Sequence, residues 1–442
     1  MSERSPQHRV YVGLGFGAIQ AGLFLYEAHR SRAFDRLVVA DVLPDVVAAT
    51  RRAAGRFTVN VAHADRIERA EVGPVEIESP LVEADRHRLV EAIAAAQEIG
   101  TAVPSVKHYV SDAPGSLHRV LAEGLRRKAG EGGPRAVVYT AENHNHAAEI
   151  LEEHVLAAVP ESQRRAVASR VRFLNTVIGK MSGVVTDEVE MASRSLAPFV
   201  PGGGRAFLVE EFNRILVTRI HFAEDGREES FHRGLAVFHE RSDLLPFEEA
   251  KLYGHNAVHA LAAYVARMLD LPRIAELVDV VGAMDFLRAA FLEESGRALI
   301  ARYAHVDPLF SEAGYRAYAD DLLERMVNPF LGDTVERVGR SPERKLGWDD
   351  RLIGTMRVAL SRGVEPRRFA FGAAAALATM DPGVLEAGAP IRATLEHLWG
   401  DAVVASPEKE AVLTRVEAGM IHLRRWRDEG FPPLDWFLGS LP

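Results

Sequence analysis

VYVGLGFGAIQAG, residues 10–22, decides the fold. Arg9 to Leu14 reads as a short buried strand, and an apolar helix is expected from the glycines to about Ala28. A strand feeding a glycine-rich turn and a helix is the setting in which GxG means dinucleotide binding: the backbone can approach a pyrophosphate, and the helix N-terminus faces its charge. Two registers are open, one starting at Gly13 and one at Gly15, with Gly17 next. A plain tight turn is the competing reading.

The next stretch, RLVVAD (36–41), is an apolar strand ending in an acid about two dozen residues beyond the glycines, where a carboxylate would accept the ribose hydroxyls and repel the extra phosphate of NADP. Asp41 could instead cap a helix at Asp45. Further on, Thr58–Ala62 and Val75–Glu78 read as strands, Glu83–Ile99 and Leu117–Lys128 as helices, and Gly130–Pro134 as a loop. Ala136–Thr140 is a β-branched strand delivering Glu142 and Asn143 at its carboxyl end, the edge that lines a ligand crevice in doubly wound sheets; a surface Asx turn is the alternative. Helices follow at Ala147–Ala158 and Glu161–Arg170, then a loop at Pro201–Gly204. Phe207–Glu210 and Ile215–Phe222 are expected to extend the sheet. Residues 1 to 9 are expected to be a frayed tail.

From about residue 243 strands give way to 3.6-residue patterns at Glu248–Leu269, Asp285–Ala304, Tyr315–Met326, Arg351–Leu360 and Arg367–Ala378. A last helix is expected from a Ser406 cap and Pro407 to about Arg427. The fold class is therefore an α/β Rossmann-type doubly wound sheet followed by an all-α C-terminal domain, residues 1–243 and 244–442. PFEEAKLYGHNAVHALAAY (246–264) opens the helical part. On an ideal α-helix Lys251, His259 and Asn256 fall at about 0°, 80° and 140°. One arc can then carry an amine and an imidazole able to exchange protons, and donors for a developing oxyanion. Eight residues span about 12 Å, so Lys251 must lean along the axis to meet His259. An amphipathic helix with a solvated Lys is the plain alternative.

The Lys-x(4)-Asn-x(2)-His pattern resembles the signature of the polyol-specific long-chain dehydrogenases, the mannitol dehydrogenase family. EESGRALIARYA (293–304), NPFLGDTVERVGRSPERKL (328–346) and DDRLIG (349–354) are similar to blocks of the family's bacterial mannitol-1-phosphate 5-dehydrogenases. The resemblance runs from about residue 10 to residue 360. It implies NAD as cofactor, hydride transfer at a secondary alcohol without a metal, Lys251 as acid/base, and Asn256 and His259 as oxyanion donors. Glu248 would relay protons, unless it is a plain helix N-terminal acid. Asn143 would lie near the nicotinamide. VERVGR matches the enzymes for phosphorylated polyols, so Arg337 and Arg340, one helical turn apart, would clamp a phosphate; a surface cluster paired with Glu336 and Glu343 is the alternative. Departures occur at Gln20, in place of the third glycine; at Ala21, in place of a basic residue; and at Gly179 of FLNTVIGKMSG (173–183), in place of an acid that grips hydroxyls. A free polyol such as mannitol or arabinitol, or a hexuronate, is the second substrate reading, and a non-catalytic dinucleotide sensor the third.

Bulk properties narrow the classes. A net charge of −9 gives no reason to expect nucleic acid or an anionic membrane as partner. The absence of cysteine excludes disulfides, thiolate metal sites and cysteine nucleophiles. His144 and His146 alternate in a loop with poor ligand geometry, so no metal site is expected. The polar start MSERSPQHR lacks the apolar core of a signal peptide, and no apolar run spans a membrane. The expectation is a cytoplasmic protein, monomeric by the family's habit, acting on a small sugar or sugar phosphate.

Overall fold

A computed structural model describes residues 8–212, 214–224, 227–386, 388–400 and 406–434. The first seven residues of the expected frayed tail lie outside that range. The chain divides into two compact units, Met1–Leu245 and Pro246–Pro442.

The first unit is built on an eight-stranded sheet. Its order is Phe238–Arg241, Ile215–Thr218, Val171–Ile178, Ala136–Thr140, Glu98–Thr101, Val10–Leu14, Arg36–Ala40 and Glu76–Glu78. The last six of these pair in parallel, whereas Ile215–Thr218 runs antiparallel to Val171–Ile178. Val10–Leu14 is buried along its whole length, as a parallel strand covered by helices on both faces must be. The order reverses about this strand, so a crevice is expected at its carboxyl end and that of Glu98–Thr101.

Sequence patterning errs at that central neighbour. The helix expected over Glu83–Ile99 ends at Ala95, Ala96 is extended, and Glu98–Thr101 forms a strand. An alanine-rich helix running into a strand of only four residues leaves no change of period to read. The strand also holds a buried acid, which argues against a strand on propensity alone. Glu98 is tolerated because it accepts hydrogen bonds from Tyr139 Oη (2.9 Å), Arg9 (3.0 Å) and the backbone of Gly234. Burial still raises its pKa.

The expected sheet extension is also corrected. Ala206–Glu210 belongs to a second, four-stranded sheet, ordered Ile67–Val72, Phe57–Ala62, Ala206–Glu210 and Ser182–Val185. Of the two expected stretches, Ile215–Thr218 does extend the main sheet, and it stops short of Phe222. The strand Ile67–Val72 is not foreseen by the pattern. It is mostly exposed or half-buried, so it lacks the apolar run that marks an inner strand.

Among its described residues the second unit has helices and one isolated bridge, Arg273 with Thr334. Its centre is the helix Ala257–Met268, in which every residue from Ala260 to Ala266 is sealed from solvent; a helix apolar all round belongs inside a core. Ser406 caps Pro407–Asp428 by accepting from the backbone N–H of Lys409, a contact of the kind worth about 1 kcal/mol. No helix among the described residues is long and apolar enough to cross a membrane.

Candidate functional site

Two groups of polar atoms stand out, one in each unit. In the first unit the glycine turn follows the strand Val10–Leu14. Gly15 has φ +89°, and a Cβ there would lie 2.7 Å from Ala102 O, so only glycine makes this turn. A Cβ on Gly17 would meet nothing within 4 Å, leaving open space over the backbone. Gly13 differs from both. It sits inside the strand, and the space of its missing Cβ is taken by the side-chain amide of Gln20. Gln20 lies in a π-helical segment, Gln20–Leu25, and donates to Tyr11 Oη at 2.7 Å. The turn itself is thus Gly15-x-Gly17, and the close helix–strand contact is made by exchanging sizes at 13 and 20. Gly13, expected among the cofactor-binding glycines, lies within the strand and packs against Gln20.

Phe16, between the two glycines, anchors the turn. Its ring packs at 5.0 Å on Phe57 and 5.3 Å on Phe207, from the second sheet. Its N–H donates to Asp41 Oδ2 (2.8 Å), while Asp41 Oδ1 accepts from Leu43 N (2.8 Å). The nearby helix Pro44–Arg52 has no side-chain cap, so Asp41 is not its N-cap. Each carboxylate oxygen keeps a second lone pair, which two vicinal hydroxyls could fill. Val42 and Leu43, after one strand end, and Leu81 and Val82, after its neighbour, are exposed apolar residues beside this acid that a flat ring could cover. An open glycine backbone, a half-exposed acid and apolar flanks fit a dinucleotide.

Two strands away, Glu142 is buried. It accepts from Thr101 Oγ1 (2.8 Å), Val103 N (2.9 Å) and the Tyr109 hydroxyl. Burial raises its pKa, and these donors oppose the rise. Asn143 follows it, exposed at the same edge. At Gly179 the nearest neighbour a Cβ would meet among the described residues is Phe212, at 3.5 Å. Lys180 is buried and donates to Phe212 O at 2.9 Å; burial pushes its pKa down to about 8.

In the second unit, Lys251 and Asn256 lie in a π-helical segment, Ala250–Asn256, and His259 in the α-helix Ala257–Met268 that continues it. This corrects the angles expected from an ideal α-helix. Hydrogen bonds from i to i+5 stack residues five apart as i and i+4 stack in an α-helix, so Lys251 and Asn256 share a face. His259, three α-residues on, is about 60° from Asn256. Two features hold the wide turn. Gly254 gives room to Phe291 and Tyr315 (a Cβ would be 2.7 Å from each), and Thr355 Oγ1, which donates to Arg351 O at 2.5 Å, shares that hydrogen with Tyr253 O at 3.2 Å.

Lys251 is half-buried. Burial first, then the charge of Arg351, brings its pKa down to about 8, against the opposing pull of Glu248. Glu248 is in the first turn of Leu245–Glu249. Arg351, from the DDRLIG block, is itself held by Asp350 Oδ1 at 2.7 Å; sequence reasoning does not single it out. Asp333 is missed too. It is 6% exposed, lies 3.2 Å from His259 Nε2 through Oδ2, and accepts from the Arg337 guanidinium through Oδ1. The signal lies within the quoted block, where Asp333 and Arg337 are four residues apart. That spacing is a pairing cue only if a helix is known to begin between them.

The two-arginine clamp does not take its expected form. The helix is short, Val335–Gly339, and Arg340 leaves it with ψ 150°. Arg337 and Arg340 are therefore not a turn apart on one helix. Arg337 pairs with Asp333, not with Glu336 or Glu343, and the carbonyl of Arg340 accepts from the buried Lys345 ammonium.

Known proteins resemble this chain in sequence and in fold. The family model described as Mannitol dehydrogenase C-terminal domain matches residues 243–416. A mannitol-1-phosphate 5-dehydrogenase from Bacillus licheniformis is 30% identical over 367 residues, 83% of this chain and 87% of the relative. Another so named, from Pseudarthrobacter chlorophenolicus, is 31% identical over 388 residues, 85% of each. A solved structure of Pseudomonas fluorescens mannitol 2-dehydrogenase, in ternary complex with NAD and D-mannitol, superposes with TM-score 0.69 at 15% identity, covering 99% of this chain and 95% of that one. A substrate-free D-sorbitol dehydrogenase gives 0.72 at 13% identity, over 96% and 94%. These two share its fold. With relatives this similar over most of their length, the chain belongs to the mannitol dehydrogenase family.

Proposed function

We propose that this chain is an NAD-dependent dehydrogenase interconverting a polyol phosphate and a ketose phosphate, with mannitol 1-phosphate and fructose 6-phosphate as the leading pair. Residues up to about 243 would bind the dinucleotide, and the helical remainder would bind and turn over the sugar. Gly15, Gly17 and Asp41 would hold the pyrophosphate and ribose, and Asn143 would stand near the nicotinamide. When bound, NAD supplies the hydride acceptor.

One observation carries the chemistry: the Lys251 amine, brought to about 8, shares a π-turn with Asn256 and is followed by His259. In alcohol oxidation the neutral amine removes the hydroxyl proton as hydride leaves the same carbon. Asn256 and His259 would donate to the oxygen while it is anionic, and Glu248 would pass the proton onward. In ketose reduction the ammonium returns the proton. Arg337, with Arg340 at its flank, would hold the phosphate.

The second reading, a free polyol or a hexuronate as substrate, is favoured by the pairing of Arg337 with Asp333 and the absence of a helical two-arginine clamp. Turnover of phosphorylated and free hexitols, and of hexuronates, with NAD and with NADP separates the two. A clear preference for a free hexitol defeats the phosphate assignment; no turnover of any of them, with dinucleotide still bound, supports the sensor.

A further inference from the structure

Asp333 touches two residues to which separate roles have just been given. Its backbone and surroundings fix it in place. Ile274 N donates to Asp333 O at 3.0 Å, Val335 N donates to Pro272 O at 3.0 Å, and Thr334 caps the following helix by accepting from Arg337 N at 3.2 Å. Burial would raise its pKa, but His259 and Arg337 outweigh burial and bring it down to about 2. It is thus ionised at any working pH and can only accept hydrogen bonds. The approach of His259 Nε2 to Oδ2 is close, at 3.2 Å, but off the line of a strong hydrogen bond, and among the described residues neither atom has another hydrogen-bond partner. Buried polar atoms left in that state are costly, so the pair is poised to tighten.

We infer that Asp333 is a positioning residue holding the His259 ring and the Arg337 guanidinium as one unit, so that an anionic group seated on Arg337 changes the hydrogen bonding of the histidine. This rests on the dehydrogenase reading above. An ionised carboxylate beside Nε2 requires that nitrogen to carry hydrogen. Nδ1 is then a bare acceptor in the neutral ring and a donor only in the imidazolium. When a substrate anion draws on the charge of Arg337, Asp333 turns more fully to His259 and accepts more strongly from Nε2–H, which fixes how the ring meets the substrate oxygen. Burial first, and then nearby cationic groups, lower the pKa of the neighbouring His255. The His255 ring is 6.3 Å from that of His259 on the same helix, and Lys251 and Arg325 bear on His255 with it. Asp333 is the carboxylate that offsets them. Substrates with a phosphate or carboxylate therefore gain in turnover as well as in affinity, while neutral polyols do not.

The test uses the full chain. Asp333→Asn is expected to lower kcat for ketose phosphate reduction by about 10- to 100-fold, the scale of losing one hydrogen bond to a charged group. KM for the phosphorylated substrate rises, and NADH affinity stays unchanged. In a His259→Ala background the same change costs no more than about twofold further, because coupled residues are not additive. An equal loss in both backgrounds, or no loss in the native one, overturns the inference. Ring nitrogen NMR of the native chain, assigned with His259→Gln, is an independent check that needs no Asp333 variant: the neutral ring must carry its hydrogen on Nε2, and a hydrogen on Nδ1 overturns the inference. Should the native chain turn over no hexitol or ketose, the dehydrogenase reading fails, and these spectra still test the contact between Asp333 and His259.

Discussion

The first unit presents its polar atoms through the backbone, and the second through side chains. Around Gly15 the determinants are a φ of +89°, an open space over Gly17 and the ends of parallel strands; the acid beside the turn, Asp41, is itself tied to backbone N–H groups. Around Lys251 the determinants are an amine, an amide, an imidazole, a carboxylate and guanidinium groups gathered from three stretches of chain. The first kind of site is mainly a property of chain path. The second depends on which side chains carry charge.

The sharpest way to break this contrast is Lys251→Ala. Turnover should fall by about 10²- to 10⁴-fold, the usual contribution of a general acid–base, while NADH titrated by fluorescence binds as before. A parallel loss of nucleotide affinity would mean that the two groups are not separable. The pH dependence comes next. Lys251 must be neutral to accept a proton, so alcohol oxidation should rise about tenfold per unit up to pH about 8 and then level. Ketose reduction needs the ammonium and should fall above that pH, and NADH affinity should stay flat across it. A reduction rate that climbs through pH about 9 would remove the lysine from its role.

Smaller effects probe the backbone side. Gly13→Ala drives a methyl group into Gln20, and overpacking of this kind costs about 1–3 kcal/mol. Urea unfolding should show the loss, and Gln20→Ala in the same chain should recover most of it. Failure of the rescue would mean that the two positions do not exchange size. Smallest of all, Arg340→Ala should change KM for a sugar phosphate by no more than about threefold, the scale of one exposed charge. Arg337→Ala should change it far more; equal effects would restore the two-arginine clamp.

The same contrast explains what can be read from the chain alone. The strand, glycine turn and acid at residues 10–41 are local and follow from steric rules, so their arrangement is legible. The strand Glu98–Thr101 is not, because its helix runs into it without a change of period and its acid is buried by partners from residues 9, 139 and 234. In the second unit the residue types at 251, 256 and 259 are legible as a pattern. Their geometry is not, since the pattern implies an α-helix where Gly254 and Thr355 support a wider turn. Asp333 and Arg351 lie 74 and 100 residues from His259 and Lys251 in the chain, and only folding brings their charges to bear.

Glu142 carries one more consequence. By accepting from Thr101, Val103 and Tyr109 it ties the loop after one central strand to the end of the next, and Gly15 rests against Ala102 of that same loop. The conformational entropy of this rim is therefore lost when the chain folds, not when a dinucleotide arrives. Calorimetry should find a modest heat-capacity change on nucleotide binding, set by the apolar surface that the ligand covers, and free of the larger signature of loops that order on contact.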